Sequence, residues 1–306
     1  MALLKEPWIA VDGPFNPWRV QAVRHSLCSH PLLQMDSLRE LAKRLEARGR
    51  IRSHSDQAKP DTPFNTAPET HPSGQKGSDA LADVAKAGAW TSLLNVQTDE
   101  LYKTLVDEAL DSVKPTVDAV DPGMSYRGGW IFVTSPRAVT PFHMDMEHNF
   151  IVQILGKKRL YVWDPFDRSV VSERGRERFL TYQSRDLVRF HEDFRKKSQI
   201  FELEPGMGGY MPSTAPHMVE NGDGPSITMS FTYYTESTRR RSLLYRANSH
   251  LRRLGFDPLP VGIDPVRDST LAAAMQLYSG AKELAQRTLG KEVLPLTAPY
   301  AVHVTS

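Results

Sequence analysis

Residues 140–159 read TPFHMDMEHNFIVQILGKKR, and this stretch decides the fold class. Two runs rich in β-branched and aromatic residues, 150–155 and 159–163, are separated by the pair Gly156-Lys157. Such runs favour strands, and a two-residue connection that contains glycine is typical of a tight hairpin. We therefore predict a β-hairpin at this point of the chain.

The same stretch contains His143 and Asp145, two residues apart. On a strand, both side chains would project from one face. His217 follows a proline-bounded turn and begins another strand-like run, so it is the candidate third ligand of a metal site. Two imidazoles and one carboxylate form the facial triad of non-haem Fe(II) oxygenases, which leaves positions open for a co-substrate and oxygen. Because an isolated His-x-Asp pair is common by chance, the β context and the distal histidine carry this prediction.

Strand-like runs continue outward from this centre over residues 121–235. Gly, Pro and Asp separate these short runs, which is typical of a β-sandwich or barrel. Residues 172–196 are charged and compatible with a helix, and we interpret them as an insertion at the rim. Core packing is the expected role of three strand aromatics. These are Trp130, Phe132 and Trp163.

The flanks are predicted to be helical, which gives a mainly β fold with α additions. We expect a helical region over 1–120 because apolar residues recur at three- and four-residue spacing over 32–45 and again over 93–113. The second of these helices is expected to end before Lys114-Pro115. Residues 52–79 are rich in Ser, His, Pro, Thr, Asp and Gly and predict a loop. Its histidines, His54 and His71, are expected to be solvated.

The C-terminal region 236–306 is also predicted to be helical and is proposed to mediate dimerisation. Leu243, Leu244, Leu251 and Leu254 share one face of the first helix there. The segment 239–253 is rich in arginine, and two interpretations stay open. It is either a solvated helix whose apolar side packs on the β domain or a second subunit, or a surface for nucleic acid.

Composition restricts the class of protein. The 306 residues carry a net charge of +2 and a single cysteine, Cys28, so we expect neither a disulfide nor a global field for nucleic acid. No run approaches the 18–20 apolar residues of a membrane helix. The first seven residues lack the pattern of a signal peptide. A soluble, cytoplasmic protein without a membrane partner is therefore expected.

A lysine pair at the start of the return strand suggests a co-substrate. Lys157 or Lys158 would place an ammonium group in the cavity that contains the metal. It would bind the remote carboxylate of a dicarboxylic acid whose other end chelates iron. Strand parity leaves open which of the two lysines faces the cavity.

These residues resemble the Jumonji-C (JmjC) oxygenases, in particular the asparaginyl-hydroxylase branch of the factor-inhibiting-HIF type. The similarity covers residues 120 to 235, and its motifs lie in 140–159, 203–206, 210–217 and 227–231. The resemblance implies a double-stranded β-helix, the jelly roll of cupin and JmjC proteins, flanked by helices at both ends. It also implies Fe(II) as the metal, with 2-oxoglutarate and O2 as co-substrates.

The resemblance further implies a role for nine residues. His143, Asp145 and His217 would be the catalytic iron ligands. Lys158 and Thr140 would bind the distal carboxylate of 2-oxoglutarate. The remaining co-substrate contacts would be Asn149, the apolar walls Ile151 and Val219, and Ser230. The sequence departs from the branch at three positions: Ser230 replaces an asparagine, Glu147 replaces a glutamine, and Gly206-Met207 replaces a Gly-Asp pair.

Two functions are compared. The first is an Fe(II)- and 2-oxoglutarate-dependent dioxygenase that hydroxylates a protein side chain, an amino-acid-derived metabolite or an RNA base, with release of succinate and CO2. The second is a non-catalytic cupin-fold binding or regulatory protein that contacts nucleic acid through its arginine-rich helix. The triad together with Lys158 favours the enzyme, because a non-catalytic chain has no use for both.

Overall fold

Two antiparallel β-sheets face each other in the computed structural model, which describes residues 7–288. The expectation about a signal peptide falls partly on residues 1–6, and the end of the predicted C-terminal region on 289–306. Both segments lie outside the described residues. The division of the chain at residues 120/121 and 235/236 stays a prediction.

The larger sheet has eight strands in the order β1-β2-β10-β7-β12-β5-β4-β3, and the smaller has four in the order β6-β11-β8-β9. The strand bounds are β1 Ile9–Val11, β2 Gln21–His25, β3 Ile51–Ser55, β4 Ala89–Leu93, β5 Ser125–Thr134, β6 Val139–His143, β7 His148–Leu155, β8 Lys158–Val162, β9 Gln199–Leu203, β10 Met207–Met211, β11 His217–Asn221 and β12 Ser226–Tyr234. The α-helices are α1 Met35–Glu46, α2 Ala67–Thr70, α3 Gly77–Ala80, α4 Glu100–Asp118, α5 Glu173–Tyr182, α6 Glu236–Arg253 and α7 Pro265–Thr288.

The central strand β12 shows why the larger sheet has two different faces. Its residues alternate between apolar and hydroxyl-bearing side chains, and successive side chains of a strand point to opposite faces. Ile227, Met229 and Phe231 belong to the apolar cluster that also contains buried residues of α1 and α4. Thr228 and Ser230 lie on the other face, toward the smaller sheet. The interior between the sheets is therefore polar along this strand.

Apolar side chains from both sheets close the space between them. Ile151 and Met211 of the larger sheet form one buried cluster with Leu160, Val162 and other residues of the smaller sheet. Two facing antiparallel sheets with helices outside them are the jelly roll that the sequence analysis predicts, so the predicted fold class is confirmed.

The predicted hairpin at Gly156-Lys157 is wrong. β7 ends at Leu155 and β8 begins at Lys158, but the two strands belong to different sheets. The connection is nevertheless tight: Gly156 has a φ of +76°, and a Cβ there would meet the carbonyl oxygen of Pro225 at 2.2 Å. A glycine is required for this crossing between the sheets.

The N-terminal part departs from a helical region, because β1–β4 join the larger sheet. The predicted loop contains β3, α2 and α3, and His54 is buried on β3 rather than solvated. The second predicted helix, α4, continues through Pro115 to Asp118. Pro115 removes one helical hydrogen bond. Val113 and Val117, on either side of it, are buried in the apolar cluster, and this burial offsets the loss.

The arginine-rich helix α6 uses most of its guanidinium groups within the chain. Arg239 donates to the carbonyl of Gly123, Arg246 to the carbonyl of Leu180, and Arg252 to Glu177. Leu243 and Leu244 of this helix are buried within the chain, so they are not available to a second subunit. Among residues 7–288, no helix is both long and apolar enough to cross a lipid bilayer.

Candidate metal centre and adjoining cavity

Three side chains from separate segments converge between the two sheets. His143 is the last residue of β6 and His217 the first of β11, and the two are direct partners in the strand register. Their ring centroids are 4.1 Å apart. Asp145 lies in the loop after β6 rather than on a strand, so the predicted shared strand face is wrong. The predicted convergence is nevertheless observed, because this loop turns the carboxylate back toward both imidazoles.

The donor atoms of this cluster point at one another. Nε2 of His143 lies 3.7 Å, and Nε2 of His217 3.6 Å, from Oδ2 of Asp145. Each Nδ1 lies within hydrogen-bond distance of a main-chain carbonyl, of Pro141 at 2.8 Å and of Ala215 at 3.0 Å. A carbonyl only accepts, so each Nδ1 carries the proton and each Nε2 keeps a free lone pair. The three atoms therefore fit a divalent transition metal.

The three side chains of this cluster also have the ionisation states that metal ligands require. Burial lowers the pKa of both imidazoles, and His217 lowers that of His143 further. Burial works against ionisation of Asp145, yet the two histidines and Arg185 hold its pKa below the usual value. Neutral imidazoles and an ionised carboxylate are the forms that bind a metal ion.

Arg185, which the sequence analysis missed, fixes the carboxylate ligand. Its guanidinium donates to Oδ1 of Asp145 at 3.0 Å and twice to the carbonyl of Met144, at 2.9 and 3.1 Å. It also donates to Oδ1 of Asn65 at 2.9 Å. Arg185 follows α5, 40 residues from Asp145, and no local pattern distinguishes it from the other arginines of 172–196.

A turn before β11 holds the Asp145 loop from the other side. The N–H of Thr214 donates to the carbonyl of Asp145 at 2.8 Å, and the hydroxyl of Ser213 donates to that of Met146 at 2.6 Å. The N–H of Ser213 also donates to Nδ1 of His148, a fully buried residue, at 3.1 Å. One main-chain hydrogen bond and two that involve side chains thus connect the segments that carry Asp145 and His217.

A cavity of about 410 Å³ adjoins this cluster. Two of the three candidate ligands, His143 and Asp145, line it. The other lining residues are Arg52, Phe64, Asn65, Pro68, Trp90, Ser92, Leu94, Asn95, Trp130, Phe132, Met146, Glu147, Asn149, Phe179, Arg185, Ser230 and Thr232. Trp130 and Phe132 therefore line a cavity instead of packing in the core as predicted, whereas Trp163 is buried.

Glu147, one of the departures from the JmjC pattern, adds a second carboxyl group to this cavity. Burial, and then the nearby charge of Asp145, raises its pKa to about 7. A glutamine would be neutral at every pH, so this position makes the cavity of this chain different from that of the branch it resembles.

The lysine pair is divided between the exterior and the interior. The side chain of Lys157 is 72% exposed and pairs with Glu204 at 2.5 Å. Lys158 is 5% exposed and lies on the same side of β8 as Leu160 and Val162, which pack between the sheets. Burial lowers its pKa to about 7. Within residues 7–288 no hydrogen bond or ion pair engages its ammonium group.

The other predicted co-substrate residues lie in the same interior but not all at the cavity. Asn149 and Ser230 line it, and Nδ2 of Asn149 donates to Oγ of Ser230 at 3.2 Å. Oδ1 of Asn149 is buried with no hydrogen-bond partner among the described residues. Ile151 and Val219 belong to the apolar cluster between the sheets. The hydroxyl of Thr140 accepts a hydrogen bond from the indole of Trp90 at 2.8 Å.

Comparison with solved structures finds ribosomal oxygenase YcfD of Escherichia coli. An X-ray structure of it is 17% identical, with a TM-score of 0.46, and the alignment covers 86% of this chain and 64% of YcfD. Its complex with cobalt and 2-oxoglutarate is 16% identical, with a TM-score of 0.42 and coverage of 85% and 63%. The chain thus spans less than two thirds of the length of these proteins. No curated protein matches the sequence significantly.

Comparison with protein families gives one assignment. The sequence matches the family described as the cupin-like domain (Cupin_8) over residues 22–239. This range is well over half of the chain and includes every predicted site residue, from Thr140 to Ser230. The chain belongs to the cupin-like domain family.

Proposed function

We propose that this protein is an Fe(II)- and 2-oxoglutarate-dependent oxygenase with His143, Asp145 and His217 as the iron ligands. The observation that carries the proposal is the convergence of two neutral Nε2 atoms on one oxygen of an ionised carboxylate beside a cavity. When bound, Fe(II) supplies the oxidative decarboxylation of 2-oxoglutarate to succinate and CO2, with hydroxylation of a substrate.

The chain's own residues would bind and orient the co-substrate. Lys158 supports this role because an ammonium group buried without an anion is costly, and a carboxylate would offset that cost. The hydroxyl of Thr140, which accepts from Trp90, keeps its own proton to donate to the same carboxylate. The unpartnered Oδ1 of Asn149 indicates a further polar contact in the cavity. Ile151 and Val219 would exclude water.

The finer assignment to the asparaginyl-hydroxylase branch is also part of this proposal, with a protein side chain or an amino-acid-derived metabolite as the substrate. It rests on the motif in residues 140–159. One of the YcfD structures described above contains cobalt and 2-oxoglutarate, and another structure of YcfD contains cobalt and succinic acid; the same co-substrate is proposed for this chain. Ser230 and Glu147 replace amide side chains of the branch, so the substrate of this chain is expected to differ from an asparagine.

Succinate release tests the proposal. We expect purified protein supplied with Fe(II), 2-oxoglutarate and O2 to form succinate slowly even without its substrate. Asp145→Ala and His217→Ala should abolish this release, because each removes one of three metal ligands. His191→Ala, which changes an exposed histidine outside the cluster, is the matched control. Equal release by the control and by Asp145→Ala would exclude Asp145 from the metal site.

The non-catalytic alternative finds little support in the contacts of α6. Arg239 and Arg246 bind main-chain carbonyls and Arg252 binds the buried Glu177 of the same chain, which leaves fewer of its arginines for phosphate groups. Binding of RNA to the protein that falls steeply with salt, together with absence of succinate release, would restore that alternative.

A homodimer through the C-terminal helices is proposed as well, but its contact residues differ in part from those expected from the sequence. Leu254, Val266 and Leu277 are exposed apolar residues of this region and would replace the buried Leu243 and Leu244. Light scattering coupled to gel filtration should give twice the mass of the chain, and Leu277→Glu should reduce that mass to the monomer. A cytoplasmic location stays a prediction.

A further inference from the structure

We propose that the cavity beside the metal site takes its substrate as a flat, uncharged aromatic ring stacked on Trp130. This inference rests on the proposed oxygenase function, since it names the substrate class of that same site. Five aromatic side chains line the cavity, and each is available to a ligand only if its ring is not already stacked within the chain. They are Phe64, Trp90, Trp130, Phe132 and Phe179.

Two of the five rings are covered by charged or metal-site groups. Phe64 lies parallel to the imidazole of His143, with centroids 3.8 Å apart and an interplanar angle of 4°. The guanidinium of Arg52 is 4.2 Å from the centroid of the same ring. Arg185 lies 4.7 Å from the centroid of Phe179. These two rings therefore position residues of the site and do not present a free face.

The tryptophan on β4 is also engaged. Trp90 stacks on His54 at 4.6 Å with an interplanar angle of 10°, and its indole N–H donates to Thr140. Phe132 tilts against Trp90 at 5.5 Å, which occupies one side of its ring. Trp130 is different. Across residues 7–288, its indole takes part in no ring contact and no hydrogen bond.

The position of Trp130 makes this lack of partners informative. It is half-buried on the inner face of β5 and pairs in register with Ser230, whose side chain also lines the cavity. Tryptophan combines a large apolar ring, which favours offset-stacked or edge-to-face contact with another ring, with an N–H that donates a hydrogen bond. A ligand ring would supply the ring contact, and a carbonyl group of the ligand would accept from the N–H.

Charge decides between a neutral ring and a cation, since a tryptophan face attracts both. Arg52 and Arg185 place two guanidinium groups at the cavity wall. Of the two carboxyl groups there, Asp145 is bound by Arg185, so these two charges offset each other. Arg52 and Glu147 add one group of each sign. The cavity wall therefore has no excess of negative charge that would favour a cationic substrate over a neutral ring.

The test compares rings of equal size. The full chain is loaded with Zn(II) and 2-oxoglutarate, which permits binding without turnover, and ligand affinity is measured by saturation-transfer NMR. The probes are the N-acetyl amides of phenylalanine, cyclohexylalanine and arginine. We expect the phenylalanine amide to bind at least about threefold more tightly than the cyclohexylalanine amide, although the cyclohexyl ring is the more apolar, because only the phenyl ring stacks.

Variants locate the preference. Trp130→Leu should bring the phenyl and cyclohexyl affinities together, and Trp130→Phe should keep part of the difference because it retains a ring. Phe256→Leu, which changes an exposed aromatic residue outside the cavity, should leave both affinities as they are. If Trp130→Leu does not fold in a thermal melt, the Trp130→Phe protein and the unaltered protein still decide the question.

Equal binding of the phenyl and cyclohexyl probes to the unaltered protein would overturn the inference, as would tighter binding of the arginine amide. Succinate release separates this failure from failure of the proposed function. Release without a ring preference leaves the oxygenase standing and rejects the aromatic substrate. A ring preference that depends on Trp130, in a protein that never forms succinate, supports the ring site and rejects the oxygenase.

Discussion

Arg185 donates from Nη2 to Oδ1 of Asp145 at 3.0 Å, and this is the carboxylate oxygen that does not face the histidines. The other oxygen, Oδ2, lies 3.7 and 3.6 Å from the two Nε2 atoms. The guanidinium thereby fixes the carboxylate so that it presents a single oxygen to a metal ion. Partners that orient a ligand in this way have large effects on metal affinity.

Replacing Arg185 should therefore weaken metal binding without removing a ligand. We expect Arg185→Gln to lower the affinity for Zn(II) about 10- to 100-fold, as measured by competition with a fluorescent chelator. The Zn(II) affinity of Arg185→Lys should lie between those of Arg185→Gln and the unaltered protein, because an ammonium group keeps the charge but loses the planar fork. Arg189→Gln, at an exposed arginine four residues away, should bind Zn(II) as the unaltered protein does. Equal affinity in Arg185→Gln would show that the contact to Asp145 has no part in metal binding.

Lys158 should couple co-substrate binding to proton uptake. Burial lowers its pKa to about 7, so much of the free protein has a neutral amine at pH 8. A bound carboxylate stabilises the ammonium form and raises this pKa, so binding of 2-oxoglutarate takes up a proton. Calorimetry at pH 8 in two buffers of different ionisation enthalpy measures the uptake.

Comparison with Lys158→Met isolates the proton uptake that is due to the lysine, because the histidine ligands are the same in both proteins. This variant should show less proton uptake and much weaker binding of 2-oxoglutarate. It should also be more stable at pH 7. The unfolded chain holds the lysine proton up to about pH 10.5, so the stability of the unaltered protein rises between about pH 7 and 10.5. Unchanged proton uptake in Lys158→Met would assign the proton to another group.

His54 should make the fold sensitive to acid. Burial lowers its pKa to about 4, while an unfolded histidine titrates at 6.5. The unfolded chain therefore binds the proton first, and stability that is present above pH 6.5 is lost as the pH falls toward 4. We expect His54→Phe to reduce the loss of unfolding free energy between pH 7 and pH 5 by about 2 kcal/mol in urea titrations. His191→Phe, at an exposed position, should not reduce it.

The pair of Glu177 and Arg252 should stabilise the contact of α5 with α6. Nε of Arg252 lies 2.9 and 3.2 Å from the two oxygens of Glu177, whose side chain is 3% exposed. Arg252→Met leaves that carboxyl group buried and unpaired and should cost about 3 kcal/mol of unfolding free energy. Adding Glu177→Met should recover most of the loss.

The exposed pair of Arg137 and Asp223, at 3.0 Å, is the matched control for this measurement. Arg137→Met should cost less than about 1 kcal/mol, because water solvates the charge that remains. Similar losses for Arg137→Met and Arg252→Met would mean that burial does not strengthen the interior pair.

The parts of the fold that were predicted correctly depend on local pattern. Alternation along 226–234 indicates a strand, and the spacing of apolar residues in 32–45 indicates a helix; the structure has β12 and α1 there. Which strands pair is a property of distant partners. Gly156-Lys157 carries the pattern of a hairpin, yet β7 pairs with β10 and β12. The turn was therefore recognised and its sheet assignment was not.

The candidate site shows the same division. The convergence of His143, Asp145 and His217 follows from ligand chemistry within a β context and was predicted, although their role as metal ligands stays a prediction. The polar neighbours of His54 on β3 predict a loop, whereas its burial comes from Trp90 on the next strand. Arg185 and the free face of Trp130 depend on contacts with segments far along the chain, which single-residue patterns do not encode.

The hydrogen bonds from Ser213 and Thr214 to the Asp145 loop join protein groups to one another and use none of the three candidate ligand atoms. In zinc fingers, folding and metal capture are a single event, so a chelator unfolds them. Here strand pairing and these hydrogen bonds hold the ligand set, so stripping the ion should leave a folded apoprotein that can be reloaded. Two imidazoles and one carboxylate suit several first-row divalent ions, so the supply of metals around the protein helps to decide which one occupies the site.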